Sequence, residues 1–282
     1  MILALIKRNL KSYFRDRATV FFSMLGALII ILLYVLFLGN LIESSASAFA
    51  GDDARFLIDT WIMGGVITAS SVTTTLGAYS MMVTDQEKKT IRDFYASPLK
   101  NSSLILSYLL SAMAIGVIMS VFTFVLAQFY ILLHGNMLSL LSALKVLGVI
   151  ILSVLSSSSM IFFFMMFIKS SNAMSAISIT MGTFVGFLTG VYLPIGQLPS
   201  SVQNVVKIFP PSHAAVLLRQ IMMNESMPLD QVPSEFKLFL GVEFESNGHI
   251  LTTPIHLLVL LGTAVVFFIL SLVVIKNKKE KE

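Results

Sequence analysis

The sequence predicts an all-α integral membrane protein with six transmembrane helices, and three observations carry that prediction. Only 12% of the residues are charged and 56% are hydrophobic, giving a mean hydropathy of +0.88; soluble domains are about a quarter charged. Six apolar segments, approximately 19–41, 60–83, 103–133, 145–168, 172–193 and 254–275, each approach or exceed the roughly 20 residues a spanning helix needs. The 19 lysines and arginines are also divided unequally. Six spans place both termini on one side. The basic residues of 7–17, 88–100, 169 and 276–281 fall on that side, leaving Arg55, Lys145, Lys207, Arg219 and Lys237 on the other. The positive-inside rule then makes both termini cytoplasmic in a multi-pass cell-membrane protein. The same asymmetry accounts for the net charge of +4 and pI near 9.2 without a nucleic-acid partner. The absence of cysteine excludes disulfides, thiolate metal sites and cysteine nucleophiles.

Residues 1–18 read as an amphipathic interfacial helix. Ile2, Ile6, Leu10, Tyr13 and Phe14 share one side, and Lys7, Arg8, Lys11 and Arg15 another, a layout suited to anionic lipid headgroups. No cleavable signal peptide is expected, because the apolar run that follows is too long for one. Spans one to five then occupy 19–193, span six 254–275 and a basic tail 276–282, all within one transmembrane domain covering 1–282. The third span is long enough to tilt.

Between the second and third spans lies a charged island, TDQEKKTIRDFYASPLKN, residues 84–101. Thr84 and Glu87 have capping-box spacing, which predicts a helix starting at Thr84. Ile91, Phe94, Tyr95 and Leu99 fall on one face of it, and Pro98 limits its length. Such a helix has two natural placements, on lipid headgroups or with its apolar stripe plugged into a partner protein.

No span carries an acid near its middle, which argues against proton or ion coupling within this chain; Asp59, Lys145 and Lys169 lie at predicted ends. The spans carry hydroxyls instead, among them Thr68, Ser71 and Thr75 in the second and Ser156 and Ser159 in the fourth. These either bond to helix backbones and neighbours or line a substrate path. In the fifth span, Gly182, Gly186 and Gly190 recur every fourth residue, which predicts a flat helix-packing face.

The segment 194–253 is the longest outside the spans. Pro194, Pro199, Pro210 and Pro211 divide its first part into two apolar pieces, about 200–209 and 212–223, each too short to cross. Re-entrant or interfacial helices at the outer leaflet are expected there, followed by an acidic, solvated cap over 224–253. His213 and His249 are expected to be ordinary interfacial residues, since no HExxH or acidic cluster accompanies them. The GxxxxGK[ST] phosphate loop is absent, so no ATPase site is expected in the chain.

Two motifs together resemble the permeases of ABC-2 type transporters. The first is Glu87, Thr90, Phe94, Ser97, Pro98 and Leu99, similar to that family's cytoplasmic coupling segment, with Gln86 and Lys89 standing where the family commonly has Arg and Gly. The second is Leu198, Pro199, Pro210, Leu218 and Arg219 before the last span. With six spans and the interfacial helix, the resemblance covers essentially the whole chain. It implies the transmembrane subunit of an exporter, of the drug, peptide or lipid branch, with no catalytic site of its own; the absence of cysteine and the abundance of Ile, Met, Ser and Lys fit a bacterial source. It also implies an ABC ATPase partner that binds ATP and Mg, docked on the 84–101 helix, and a second permease copy or a related permease meeting the first and fifth helices. A hydrophobic or amphipathic cargo follows from spans that offer hydroxyls and apolar surface. The alternatives are a self-contained channel or secondary carrier, or a non-transporting membrane scaffold or immunity protein.

Overall fold

The computed structural model describes residues 2–34, 36, 39–90, 101–134, 136–246 and 248–279. The chain is helical almost throughout, as its composition requires. Helices α1 (Ile2–Arg15) and α2 (Arg17–Leu33) meet at 74°, the corner expected where an in-plane helix turns into a span. Asp16 makes the corner: its carboxylate accepts from the Ala18 and Thr19 N–H groups at 3.1 Å, capping α2. The Thr19 hydroxyl, donating to the same carboxylate at 2.7 Å, and then those backbone bonds hold the Asp16 carboxyl below its ordinary range. Tyr13 bridges the corner, donating to the Ser23 hydroxyl at 2.8 Å.

Two expectations for this region are corrected. The buried line of α1 is Leu5, Asn9 and Tyr13, flanked by Ile2, Ile6 and Leu10, while Phe14 is exposed. The helix has turned so that Asn9 donates to the Ser111 hydroxyl at 3.1 Å. The first span also ends as regular helix at Leu33, short of 41. Tyr34 takes a π-type turn there, fully buried and donating to Asp59 at 2.8 Å. Helix α3 (Gly39–Ala50) follows, with a short 3₁₀ turn (Gly51–Asp53) leading into α4.

Helices α4 (Ala54–Ala78) and α5 (Ser80–Glu87) carry the second span in one continuous stretch, interrupted only at Tyr79. Tyr79 is buried and pairs with the Ser158 hydroxyl at 2.7 Å. Then come α6 (Asn101–Leu133), α7 (Leu140–Met165) and α8 (Ser171–Leu188). After a 3₁₀ turn (Ile195–Gln197) come α9 (Ser200–Ile208), α10 (Pro210–Met223) and α11 (Ser234–Leu240). A two-residue hairpin, β1 (Glu245–Ser246) with β2 (His249–Ile250), precedes α12 (Thr253–Lys279). Among the described residues, five helical stretches are long and apolar enough to cross a membrane, or six if α1 and α2 form one bent span.

Helix α4 is the centre of the bundle, packing against α2, α3, α6, α7, α8 and α10. Its two charges, Arg55 and Asp59, pair with each other at 3.2 Å in the first turns, and beyond them the helix is apolar or hydroxylated on every side, so no face there needs solvent. Small residues set the close approaches: a Cβ on Gly116 would lie 2.2 Å from the Thr75 hydroxyl, and one on Gly64 3.0 Å from the Arg219 backbone nitrogen. Helices α8 and α12 lie at the periphery and leave Ile179, Phe184, Leu258, Leu261, Val265 and Ile269 exposed. That is a surface suited to lipid or to another apolar protein face.

The segment after α8 differs most from expectation. Helix α10 is buried along nearly its whole length, against α4, α7 and α12, so it is a core element and not an interfacial one. The acidic cap is only partly solvated, because Leu240, Val242 and Phe244 are buried. Leu240 closes onto the bundle through its carbonyl, which accepts from the Trp61 indole at 2.9 Å. Gly241 ends α11 in the left-handed conformation (φ +67°) that reverses the chain there.

Candidate functional site

Two polar clusters, at opposite ends of the bundle, lie on the family-like motifs; a third joins Asp59 to Tyr34 and Arg55, and Arg55 to Tyr130. The first lies at the basic end, where the 84–101 segment leaves and re-enters the bundle. Helix α5 runs through Thr84 and stops at Glu87; Lys88–Thr90 form a turn in which Lys89 has φ +60°. The predicted capping box is therefore corrected. Thr84 is interior to a helix that continues from α4 after one break, and its carbonyl accepts from the Lys88 N–H at 3.0 Å. Glu87 caps a different helix: it accepts from the Ser171 N–H at 3.3 Å and from the Ser171 hydroxyl, at the start of α8. Ile91, Phe94, Tyr95, Ser97, Pro98 and Leu99 lie outside the described residues.

Asp85 ties this end together. Arg8 of α1 forms an ion pair with its carboxylate, and Tyr108 of α6 donates to the same oxygen at 2.6 Å. With the Asn9–Ser111 bond, α1 is joined by side chains to both helices that flank the charged segment. Arg8, expected on the lipid-facing side, thus faces protein. The sequence signal for Asp85 was only its position beside Glu87.

The second cluster is built on Arg219. Its side chain is fully buried, with the guanidinium 5.0 Å from the Trp61 ring. It donates to the Gly190 carbonyl at 2.8 Å and, at 3.4 Å, to the carbonyls of Trp61, Leu240 and Gly241. Among the described residues no carboxylate forms an ion pair with Arg219. One fork therefore joins α4, α10, the end of α8 and the turn after α11, and its bonds to Gly190, Leu240 and Gly241 satisfy carbonyls at helix ends. Leu218 is buried beside it, and Leu198, Pro199 and Pro210 mark the turns that lead into α9 and α10. Of the family-like motif, Arg219 itself makes the knot, while Leu198 packs in a separate apolar cluster with Ile195, Val206, Val216 and Phe244.

The three glycines of α8 do not form one face against another helix. Gly182 has open space around it. Gly186 is covered by its own chain, since a Cβ there would lie 2.1 Å from the Tyr192 ring. Gly190 lies past the helix end in the left-handed conformation, beside Ile195 and Arg219. Gly186→Leu should accordingly displace Tyr192 and cost about 1–3 kcal/mol as an overpacked contact. Thermal unfolding of the detergent-solubilised protein would read it as a lowered midpoint, with Phe187→Leu much milder. Equal shifts from both substitutions would remove the Tyr192 contact as the reason for glycine.

The hydroxyls expected along a substrate path are buried within helix contacts. Thr68 and Thr75 donate to carbonyls four residues back, and Ser71 pairs with Ser153 across α4 and α7 at 2.8 Å. Ser156 and Ser159 are likewise buried. Backbone and neighbour bonding accounts for Thr68, Ser71 and Thr75 without a path. His213 is also corrected. It is buried, donates from Nε2 to the Lys207 carbonyl at 2.9 Å and lies 2.7 Å from His256 between the Nδ1 atoms. With His213 neutral, His256 supplies the shared proton. His249 is exposed in the hairpin.

A single bundle with peripheral apolar helices, a tied basic end and an arginine-centred opposite end is the build of a polytopic membrane protein. Residues 1–223 match the family described as ABC-2 type transporter, a stretch running from α1 through α10. The chain belongs to that family, as a permease component. Comparison with curated proteins gives no match.

Proposed function

We propose that this chain is the membrane-spanning permease of an ATP-driven exporter, working as a pair of permeases with a separate ABC ATPase that binds ATP and Mg. The observation that carries the reading is the basic end of the bundle within an ABC-2 family member. There the 84–101 segment is bracketed by two side-chain ties, Asp85 to Arg8 and Tyr108, and Glu87 to Ser171. A partner that moves this segment acts through α5 on α1, on α6 and on the N-terminus of α8. Coupling requires the partner to hold the two conformations with different free energies, and ties to three helices give one displacement several contacts to exchange.

The ionic tie has a testable consequence. Asp85→Asn removes the charge that pairs with Arg8 while keeping the shape. The expected result is an intact permease–ATPase complex in which substrate-stimulated ATP hydrolysis falls severalfold. Unchanged stimulation would take Asp85 out of the coupling path. Orientation is tested with single cysteines in this cysteine-free chain. Ser97→Cys and Lys278→Cys should be shielded from an impermeant thiol reagent in intact cells, and Ser246→Cys labelled. Labelling of Ser97→Cys from outside would overturn both the cytoplasmic placement and the ATPase-docking role.

A further inference from the structure

A cleft of about 510 Å³ opens between α7, α10 and α12 at the end of the bundle away from the 84–101 segment. Its volume is in the range of small-ligand sites, which are mostly apolar with a few placed polar groups. On α7 the lining runs from Ser142 through Lys145 to Leu152, about 15 Å of helix at 1.5 Å per residue. Leu217, Ile221 and Leu257 form apolar walls, and Asn224 and Thr253 lie with Lys145 among its polar residues. The flanking Leu144, Ile151, Leu258 and Leu261 are exposed, so the outer surface beside the cleft is apolar.

The hydrogen-bonding capacity near this cleft is lopsided. Its side-chain carbonyl oxygens are already used: Gln220 Oε1 accepts from the Thr253 hydroxyl at 3.5 Å and Asn224 Oδ1 from the Leu229 N–H at 3.2 Å. Glu225, next in sequence, accepts from the Ser139 N–H and hydroxyl and from the Ser142 hydroxyl. The Ser142 and Ser139 hydroxyls hold the Glu225 carboxyl below its ordinary value, with the charge of Lys145 adding to them. Donors are what remain. The Lys145 ammonium and the Asn224 side-chain NH₂ have no hydrogen-bonding partner among the described residues. Glu225 offsets part of the positive charge, but its own charge is already spread over three donors at the α7 N-terminus.

We infer that this cleft is a binding site for an anionic phospholipid, with its phosphate on Lys145 and Asn224 and an acyl chain running down between α7 and α12 toward Leu152. A charged donor set beside an exposed apolar surface, with an apolar trough descending from it, fits a lipid entering from the bilayer. A soluble anion would leave the trough empty. A second copy of this chain would have to offer Lys145 a carboxylate.

The test uses the full chain, alone, in vesicles, and needs no ATPase. Gly148 lines the cleft and has no atom within 4 Å of where a Cβ would stand, so Gly148→Cys carries a bimane label as the sole thiol. Quenching by brominated phosphatidylglycerol should exceed that by brominated phosphatidylcholine severalfold at equal mole fraction. Lys145→Gln should bring the two to parity. Lys237→Gln should leave the preference intact, because that lysine is paired with Glu243 at 2.8 Å away from the cleft. Equal quenching in the parent, or a preference that survives Lys145→Gln, overturns the proposal. Relief of quenching by free glycerol phosphate would make the occupant a soluble anion. Absence of quenching by either lipid, with disulfide-linked dimers through Gly148→Cys, would make it a second copy. Both of these outcomes refute the lipid.

Discussion

Arg219→Ala should be the most damaging single substitution in the chain. It removes a fully buried guanidinium and strands the carbonyls of Gly190 and Gly241, while the Leu240 carbonyl keeps the Trp61 indole as a donor. Losing a charge-assisted bond and leaving buried acceptors unpaired costs about 3–5 kcal/mol, a large part of the 5–15 kcal/mol that typically separates folded from unfolded. The expected result is a collapse in the yield of monodisperse protein after detergent extraction. Arg219→Lys should recover only part of it, since one ammonium cannot reproduce a planar fork spread over four carbonyls. Gly65→Ala should act in the same direction, because a Cβ there would lie 2.8 Å from the Arg219 guanidinium nitrogen Nη2. Full yield of Arg219→Ala would show that the carbonyls find other partners and that the knot is dispensable.

The second large effect is expected on function with the fold intact. Phe94 is central in the apolar stripe of the 84–101 segment. Burying a phenylalanine side chain in a partner contributes about 1.5–3 kcal/mol. On the docking reading, Phe94→Ala weakens ATPase association by about ten- to a hundredfold, at about 1.4 kcal/mol per decade. Insertion and permease assembly stay normal. Co-purification of the two subunits, followed by ATP hydrolysis in reconstituted vesicles, measures it. A stripe lying on lipid predicts the reverse: partner binding is retained and only membrane affinity falls. Glu87→Ala should weaken coupling too, but for a different reason from the one the capping-box spacing suggested, since it uncaps α8 at Ser171.

The sequence by itself determined the class, and it did so through solvent. A chain this apolar, with long uncharged runs, has to satisfy its backbone within helices in lipid, so the last four spans were legible to within a few residues, whereas the first stops as regular helix at Leu33 and the second helix starts early, at Ala54. The two motifs around Glu87 and Arg219 were legible as well, because they are local strings. Partner choice was not. Leu5, Asn9 and Tyr13 were buried in place of the more apolar line one step round α1, because Ser111 offered Asn9 a bond. Thr84 lost its cap role because α5 continues from α4, and Glu87 instead found Ser171 across a long sequence separation. Likewise Gly182, Gly186 and Gly190 repeat on a helical period, yet the chain reverses at Gly190 and returns Tyr192 over Gly186, so the repeat outlasts the helix that would have given it meaning. Most strongly, Arg219 reads in sequence as one of five basic residues on the sparsely charged side. Only the tertiary structure surrounds it with carbonyls from α4, the end of α8 and the turn after α11. A period or a string encodes what a residue's own helix does with it; which distant backbone comes to meet it is decided by packing.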